Sequence, residues 1–114
     1  MPDLDRKKIR RDFDCAVNMS ASEIEAWLKT PESRKVGFKR NGKGESIGHA
    51  SGRRIVAILR TSSGKLDDDD YVHMREVVGY IRRHSAQRPQ NIYTSRWRYS
   101  LMNWGHDPAK VDGG

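Results

Sequence analysis

The sequence holds one cysteine, Cys15, among 114 residues. No disulfide can close within the chain, and a zinc site built from four cysteines is excluded. No apolar run approaches the roughly 18 residues that would mark a membrane span. The amino-terminal run Met1-Pro-Asp-Leu-Asp-Arg-Lys-Lys8 is charged almost from its start, unlike a secretory signal. These absences point to a reducing compartment: the cytoplasm, in association with the nucleoid, or the nucleus. Phosphate-loop and dinucleotide fingerprints are also missing. The histidines are His49, His73, His84 and His106, and no two of them stand four apart on one helix. His73 and His84 are separated by about three helical turns, too far to share a metal. Cys15 has no histidine near it in sequence, and a buried structural thiol is expected there. No catalytic residue, metal, cofactor or small-molecule substrate is therefore expected.

What is present is charge, and it is unevenly placed. The net charge is +7, with 32% of residues charged and 35% hydrophobic. The length suits one domain, and the apolar content is enough for a modest core. Residues 1–30 balance six basic groups against six acidic ones. Residues 31–65 carry Arg34, Lys35, Lys39, Arg40, Lys43, Arg53, Arg54, Arg60 and Lys65 against Glu32 and Glu45, a net +7. The remainder of the chain nearly cancels. A positive field confined to one third of the sequence suits a polyanion; its plainer explanation is a solvated surface.

Apolar periodicity predicts an all-α fold, a small bundle of about five helices over 5–17, 20–30, 46–61, 67–85 and 94–104. Ile9, Phe13, Ala16 and Val17 form the stripe of the first. Ser20-Ala-Ser-Glu23 is a capping box that opens the second, with Met19 and Ile24 placed to close over it. Pro31 is expected to end that helix, and Trp27 to pack in the core. Four aspartates, Asp67–Asp70, open the fourth helix, where acidic side chains complement the macrodipole. Successive helical positions point about 100° apart, so the four cannot converge on one ion. Thr94 is a plausible cap for the fifth helix and Gly105 its stop, with Trp97, Leu101 and Trp104 on a core-facing stripe. Residues 1–4 are expected to be flexible, 5–108 to form the single domain and 109–114 to be a disordered tail.

Residues 31–46 combine glycines, a proline and five basic groups, and are expected to form a basic Gly-rich loop between the second and third helices. Such a loop can follow a phosphate backbone or serve as a plain linker. In the third helix Gly48 and Gly52 fall on one side. Glycine is poorly suited to a helix interior, so each implies a close approach, by another helix or by a ligand backbone. Arg53 and Arg54 follow directly.

The runs Ser46-Ile-Gly-His-Ala-Ser-Gly-Arg-Arg-Ile-Val56, Asp69-Asp-Tyr-Val-His-Met-Arg-Glu-Val-Val-Gly-Tyr80, His84-Ser-Ala-Gln-Arg-Pro89 and Arg96-Trp-Arg-Tyr-Ser-Leu-Met-Asn-Trp-Gly-His-Asp-Pro108 resemble a family of small proteins catalogued as domain of unknown function 3140. The resemblance covers about residues 12–108 and implies a single helical domain. Its members often carry the label DNA-binding, and no catalytic residues come with it. Two functions follow as expectations. The first is nucleic-acid binding, to DNA before RNA, through phosphate contacts from Arg34, Lys35, Lys39, Arg40, Lys43, Arg53, Arg54 and Arg60. The second is a protein-interaction or homodimerising module that uses the Gly48/Gly52 face and exposed tryptophans. A membrane surface is a poor partner, because no helix opposes one broad apolar face to a basic one.

Overall fold

A computed structural model describes residues 5–36 and 44–112, with side chains as far as Lys110. The described residues form seven α-helices and no strand: α1 (Arg6–Ala16), α2 (Ala21–Leu28), α3 (Pro31–Lys35), α4 (Ile47–Leu59), α5 (Asp68–Ser85), α6 (Arg96–Asn103) and α7 (Pro108–Asp112). A short 3-10 turn, Ser63–Lys65, links α4 to α5. The five expected helices are all present, and α3 and α7 are additions.

Each long helix begins where a side chain can satisfy the free N–H groups of its first turn. Ser20 and Glu23 form the reciprocal capping box of α2, at 3.1 and 2.9 Å. Asp67 and Asp70 do the same for α5, at 2.9 and 3.1 Å. Asp68 pairs instead with Arg6 at 2.6 Å, so the aspartate run is divided between capping and an ion pair. The cap of α6 is Ser95, not Thr94: its hydroxyl accepts from the Arg98 N–H at 3.1 Å.

Pro31 ends α2 and also starts α3. Thr30 accepts from the Ser33 N–H at 3.2 Å, and Pro31 occupies the first helical position, where its missing N–H is not needed. The basic loop is thus shorter than expected, because 31–35 is helical and Val36 is buried. At the other end, the expected tail 109–114 is helical as far as Asp112. Lys110 donates to the Asn18 carbonyl and to Glu23, at 3.0 and 2.9 Å.

Helix α1 packs on α5 and α2 on α4, while α6 touches α2, α3, α4 and α5. Phe13, Ile24, Ile55, Ile58, Met74, Val77 and Leu101 fill the centre. Cys15 is exposed, contrary to expectation. Two positions beyond Phe13, it points about 200° away from the buried stripe of α1.

Trp97 of α6 and Trp104, which caps its end, join a column of near-parallel rings with α5. Trp104 lies 4.3 Å from Tyr80, Tyr80 5.2 Å from His84, and His84 6.4 Å from Trp97, with His73 6.3 Å beyond Trp104. All five rings are half-buried. Burial holds the imidazoles of His73 and His84 below the ordinary histidine range.

Asn103 is fully buried and joins three helices. Its side-chain oxygen accepts from Trp27 Nε1 at 2.7 Å and from Ser33 Oγ at 2.5 Å, and its amide donates to the Ser33 carbonyl at 3.1 Å. This network fixes α3 against α6, and Trp27 is half-buried as part of it.

The glycines of α4 are explained by the same contact. A Cβ at Gly52 would lie 2.6 Å from the Asn103 carbonyl oxygen and 2.8 Å from Leu28 Cδ2; one at Gly48 would lie 3.0 Å from Trp104 Nε1. Helix packing therefore offsets the roughly 1 kcal/mol that a glycine costs in a helix interior. The Gly48/Gly52 face is occupied from within, and a partner chain finds no room on it.

Gly105 closes α6 with φ +82°, a conformation suited to glycine. Its carbonyl accepts from the N–H groups of Asn18 and Met19, at 3.1 and 3.2 Å. Next to it, Asp107 receives Arg98 in a two-pronged pair at 3.0 and 3.2 Å. Burial pushes the Asp107 carboxyl up, but the guanidinium and the Ala109 N–H together hold it below the usual range.

Candidate nucleic-acid interface

A groove of about 410 Å³ lies where α2, α3 and α4 meet. Leu28 and Val56 line it, with Lys29, Arg34 and Arg53 as its cations and Glu25 among its walls. A second depression of about 340 Å³ shares Arg34 and His49 and leads to Gly44, Glu45 and Ser46. The two adjoin at Arg34 and His49, and the second reaches Gly44, the first described residue after position 36.

The local sequence explains this arrangement. Glu45, His49 and Arg53 stand four apart, so one face of α4 and its entry carries all three. Ser46 caps α4 through the His49 N–H at 3.1 Å, which sets the angle at which Glu45 enters. Arg53 Nε donates to Glu45 Oε2 at 2.8 Å, and the guanidinium makes a second, shorter bond to Oε1. His49 Nδ1 also bonds Glu45, while its Nε2 bonds the Leu28 carbonyl at 2.8 Å. Both ring nitrogens therefore face oxygen atoms, which fixes the ring between Glu45 and α2. The Glu45 carboxyl is held at about 2 by the Arg53 guanidinium first and by His49 as well, against the opposing effect of burial.

The eight sequence-predicted contacts are distributed unequally. Arg34 and Arg53 come together in the groove. Lys35 is exposed at the end of α3, and its carbonyl accepts from Arg96 at 3.3 Å. Arg54, one position on from Arg53, is turned toward α5 and lies 3.5 Å from Asp70. Arg60 pairs with Glu25 at 2.8 Å, which places it at the groove's rim. Lys39, Arg40 and Lys43 lie outside the described residues. Sequence reasoning missed Lys29 and His49. Lys29 follows directly on α2 but sits in the electrically balanced first 30 residues, where its charge drew no notice. His49 could have been found from its spacing to Glu45 and Arg53.

The groove offers guanidinium and ammonium donors above an apolar floor. Arg53 is 63% exposed while Glu45 is 30% exposed, so the guanidinium stays open to solvent while its two-pronged pair holds it in place. Among the described residues no group of three metal-binding side chains converges, and no helix is long and apolar enough to cross a membrane.

Residues 12–102 match the family described as protein of unknown function DUF3140. The chain belongs to this family. The match includes α2 to α5 and nearly all of α6, and with them the whole groove; the Gly105–Asp107 anchor lies beyond it. DUF3140 is a family without an assigned function, so membership fixes kinship and leaves the role of the groove to its chemistry. No curated protein and no solved structure matches the chain.

Proposed function

We propose that this protein binds nucleic acid, DNA in the first place, through phosphate contacts in the α2–α3–α4 groove and the basic segment next to it. The observation that carries this reading is the convergence of Lys29, Arg34 and Arg53 on one depression. The adjoining depression reaches Gly44, the residue that follows Lys39, Arg40 and Lys43 in sequence. Charge collected in this way attracts a polyanion and holds its backbone without reading many base edges. Arg54 and Arg60 move to a supporting role, since each faces an acid away from the groove's centre. A nucleic-acid binder of this kind acts in the cytoplasm or the nucleus.

The interaction-module reading has less in its favour. The Gly48/Gly52 face is filled by Trp104, Asn103 and Leu28. Among the described residues only Ile47 and Tyr93 are large hydrophobics left exposed, too few for an apolar docking patch.

The test is a gel-shift panel of duplex DNA, single-stranded DNA and RNA at low salt, run with wild type and with Arg34→Ala/Arg53→Ala. Wild type should shift the duplex. The double variant should bind about ten- to a hundredfold more weakly, as expected for two charge-assisted contacts of roughly 1 kcal/mol or more each. Absence of any shift by wild type would reject the proposal, and an unaffected double variant would move binding away from the groove.

A further inference from the structure

Gly79 stands in the interior of α5, yet no other part of the described fold packs on it. A Cβ there would meet only Arg83 of the same helix, with Nη1 at 3.0 Å, the far end of a flexible side chain. Gly48 and Gly52 are filled by neighbouring helices; Gly79 has no such neighbour to offset its helix penalty. Arg83 is exposed and flexible, so a ligand backbone can approach Gly79 where that side chain swings aside.

The surroundings fit such a ligand. Two depressions meet at Gly79 and share Arg75. One, of about 520 Å³, adds Arg83 and the edges of Tyr80 and Trp104. The other, of about 200 Å³, adds Lys8 from α1 and Arg82. Lys8, Arg75, Arg82 and Arg83 are all exposed. Two acids also line the depressions, Asp12, 3.7 Å from Arg82, and Glu76, 3.8 Å from His73 Nδ1, against four cations. None of these basic residues belongs to the stretch 31–65. Folding brings Lys8, from the balanced amino-terminal part, to a helix whose own segment is nearly neutral.

We propose that the notch over Gly79 is a second seat for a nucleic-acid phosphodiester backbone, lined by no residue of the α2–α3–α4 groove. The partner's identity rests on the function proposed above; the location rests on the notch alone. Glycine supplies room here, because the helical N–H groups are already used. The guanidinium and ammonium groups on either side supply the donors. One chain would then hold nucleic acid through two separate surfaces.

The experiment measures binding of a fluorescein-labelled duplex DNA by anisotropy, over a range of salt, together with thermal melting. The proteins are wild type, Gly79→Ala, Arg75→Ala/Arg83→Ala and Arg34→Ala/Arg53→Ala. Gly79→Ala should melt at a higher temperature, since Arg83 can swing aside and alanine favours the helix, yet bind several-fold more weakly. Opposite signs of this kind are not produced by a merely structural glycine. Arg75→Ala/Arg83→Ala should weaken binding about tenfold or more and reduce the log–log salt slope by roughly 2, or 0.9 per lost contact. Notch variants that bind like wild type, while Arg34→Ala/Arg53→Ala loses affinity, overturn the second seat and leave the groove standing. Loss at the notch with an unaffected Arg34→Ala/Arg53→Ala supports the seat and removes the groove. A wild type that does not bind overturns both.

Discussion

Replacing Asn103 with leucine is expected to destabilise the protein by about 3 kcal/mol, a large share of the stability of a domain this size. The substitution nearly conserves volume but strips Trp27 Nε1, Ser33 Oγ and the Ser33 carbonyl of their shared partner. Buried polar groups left unpaired cost roughly 1–3 kcal/mol each, and the apolar contacts that leucine gains offset part of the sum. Urea denaturation of wild type, Asn103→Leu and Ser33→Ala measures the effect. Ser33→Ala keeps its backbone carbonyl bonded to the Asn103 amide and should lose only about 1 kcal/mol. The functional consequence follows from position. Ser33 is the buried residue of α3, and Arg34 is its neighbour. Loosening the Asn103 contact frees α3 and withdraws Arg34 from the groove. An Asn103→Leu protein within 1 kcal/mol of wild type would show that α3 is held by something else.

The second large effect is at Gly52. Gly52→Ala should destabilise by about 2 kcal/mol, even though alanine is the better helix former by roughly 1 kcal/mol. The added carbon would sit 2.6 Å from a backbone oxygen of α6 and 2.8 Å from Leu28, and a backbone oxygen cannot turn aside. Either α6 or α4 must shift, and the Asn103 network shifts with it. Thermal melting of Gly52→Ala beside Gly79→Ala makes the comparison internal, since the same substitution should lower the midpoint in α4 and raise it in α5. A rise at Gly52 would contradict the packing described here.

Much of the fold was legible in sequence because its signals are local. Capping residues, apolar stripes and glycine stops mark five helices to within a few residues. Two further helices escaped notice for different reasons. At α3, Thr30-Pro31-Glu32 is itself a start signal, but a proline that stops one helix masks its equal fitness to open the next. At α7 the helix is a single short turn, and Lys110 docks it onto Asn18 and Glu23, residues about ninety positions away. No local signal reports a contact at that separation. The same limit applies to Asn103. Nothing in Ser-Leu-Met-Asn-Trp distinguishes a buried amide linking three helices from an exposed one.

The site was half legible. A charge tally finds the basic third of the chain but does not say which cations converge. Helical geometry separates the adjacent pair Arg53 and Arg54, sending one to the groove and the other toward Asp70. It also brings in Lys29 and, on the far side of the fold's connectivity, gathers Lys8 with Arg75, Arg82 and Arg83 around Gly79. Tallies by segment are blind to both, because they count neighbours in sequence and not in space. The glycines illustrate the same point. All three carry the same helix penalty, and only the structure shows that Gly48 and Gly52 meet neighbouring elements while Gly79 meets only the Arg83 side chain of its own helix.

The salt dependence of duplex binding by the unmodified protein tests the central claim most directly. Phosphate contacts release condensed counterions, so log K should fall linearly with log salt, with a slope near −0.9 for each phosphate neutralised. With about five or six contacts, the slope should lie near −5, which corresponds to an affinity loss on the order of a thousandfold between about 50 and 200 mM salt. A flat response, or no binding at the low-salt end, would contradict a protein whose gathered cations hold a nucleic-acid backbone.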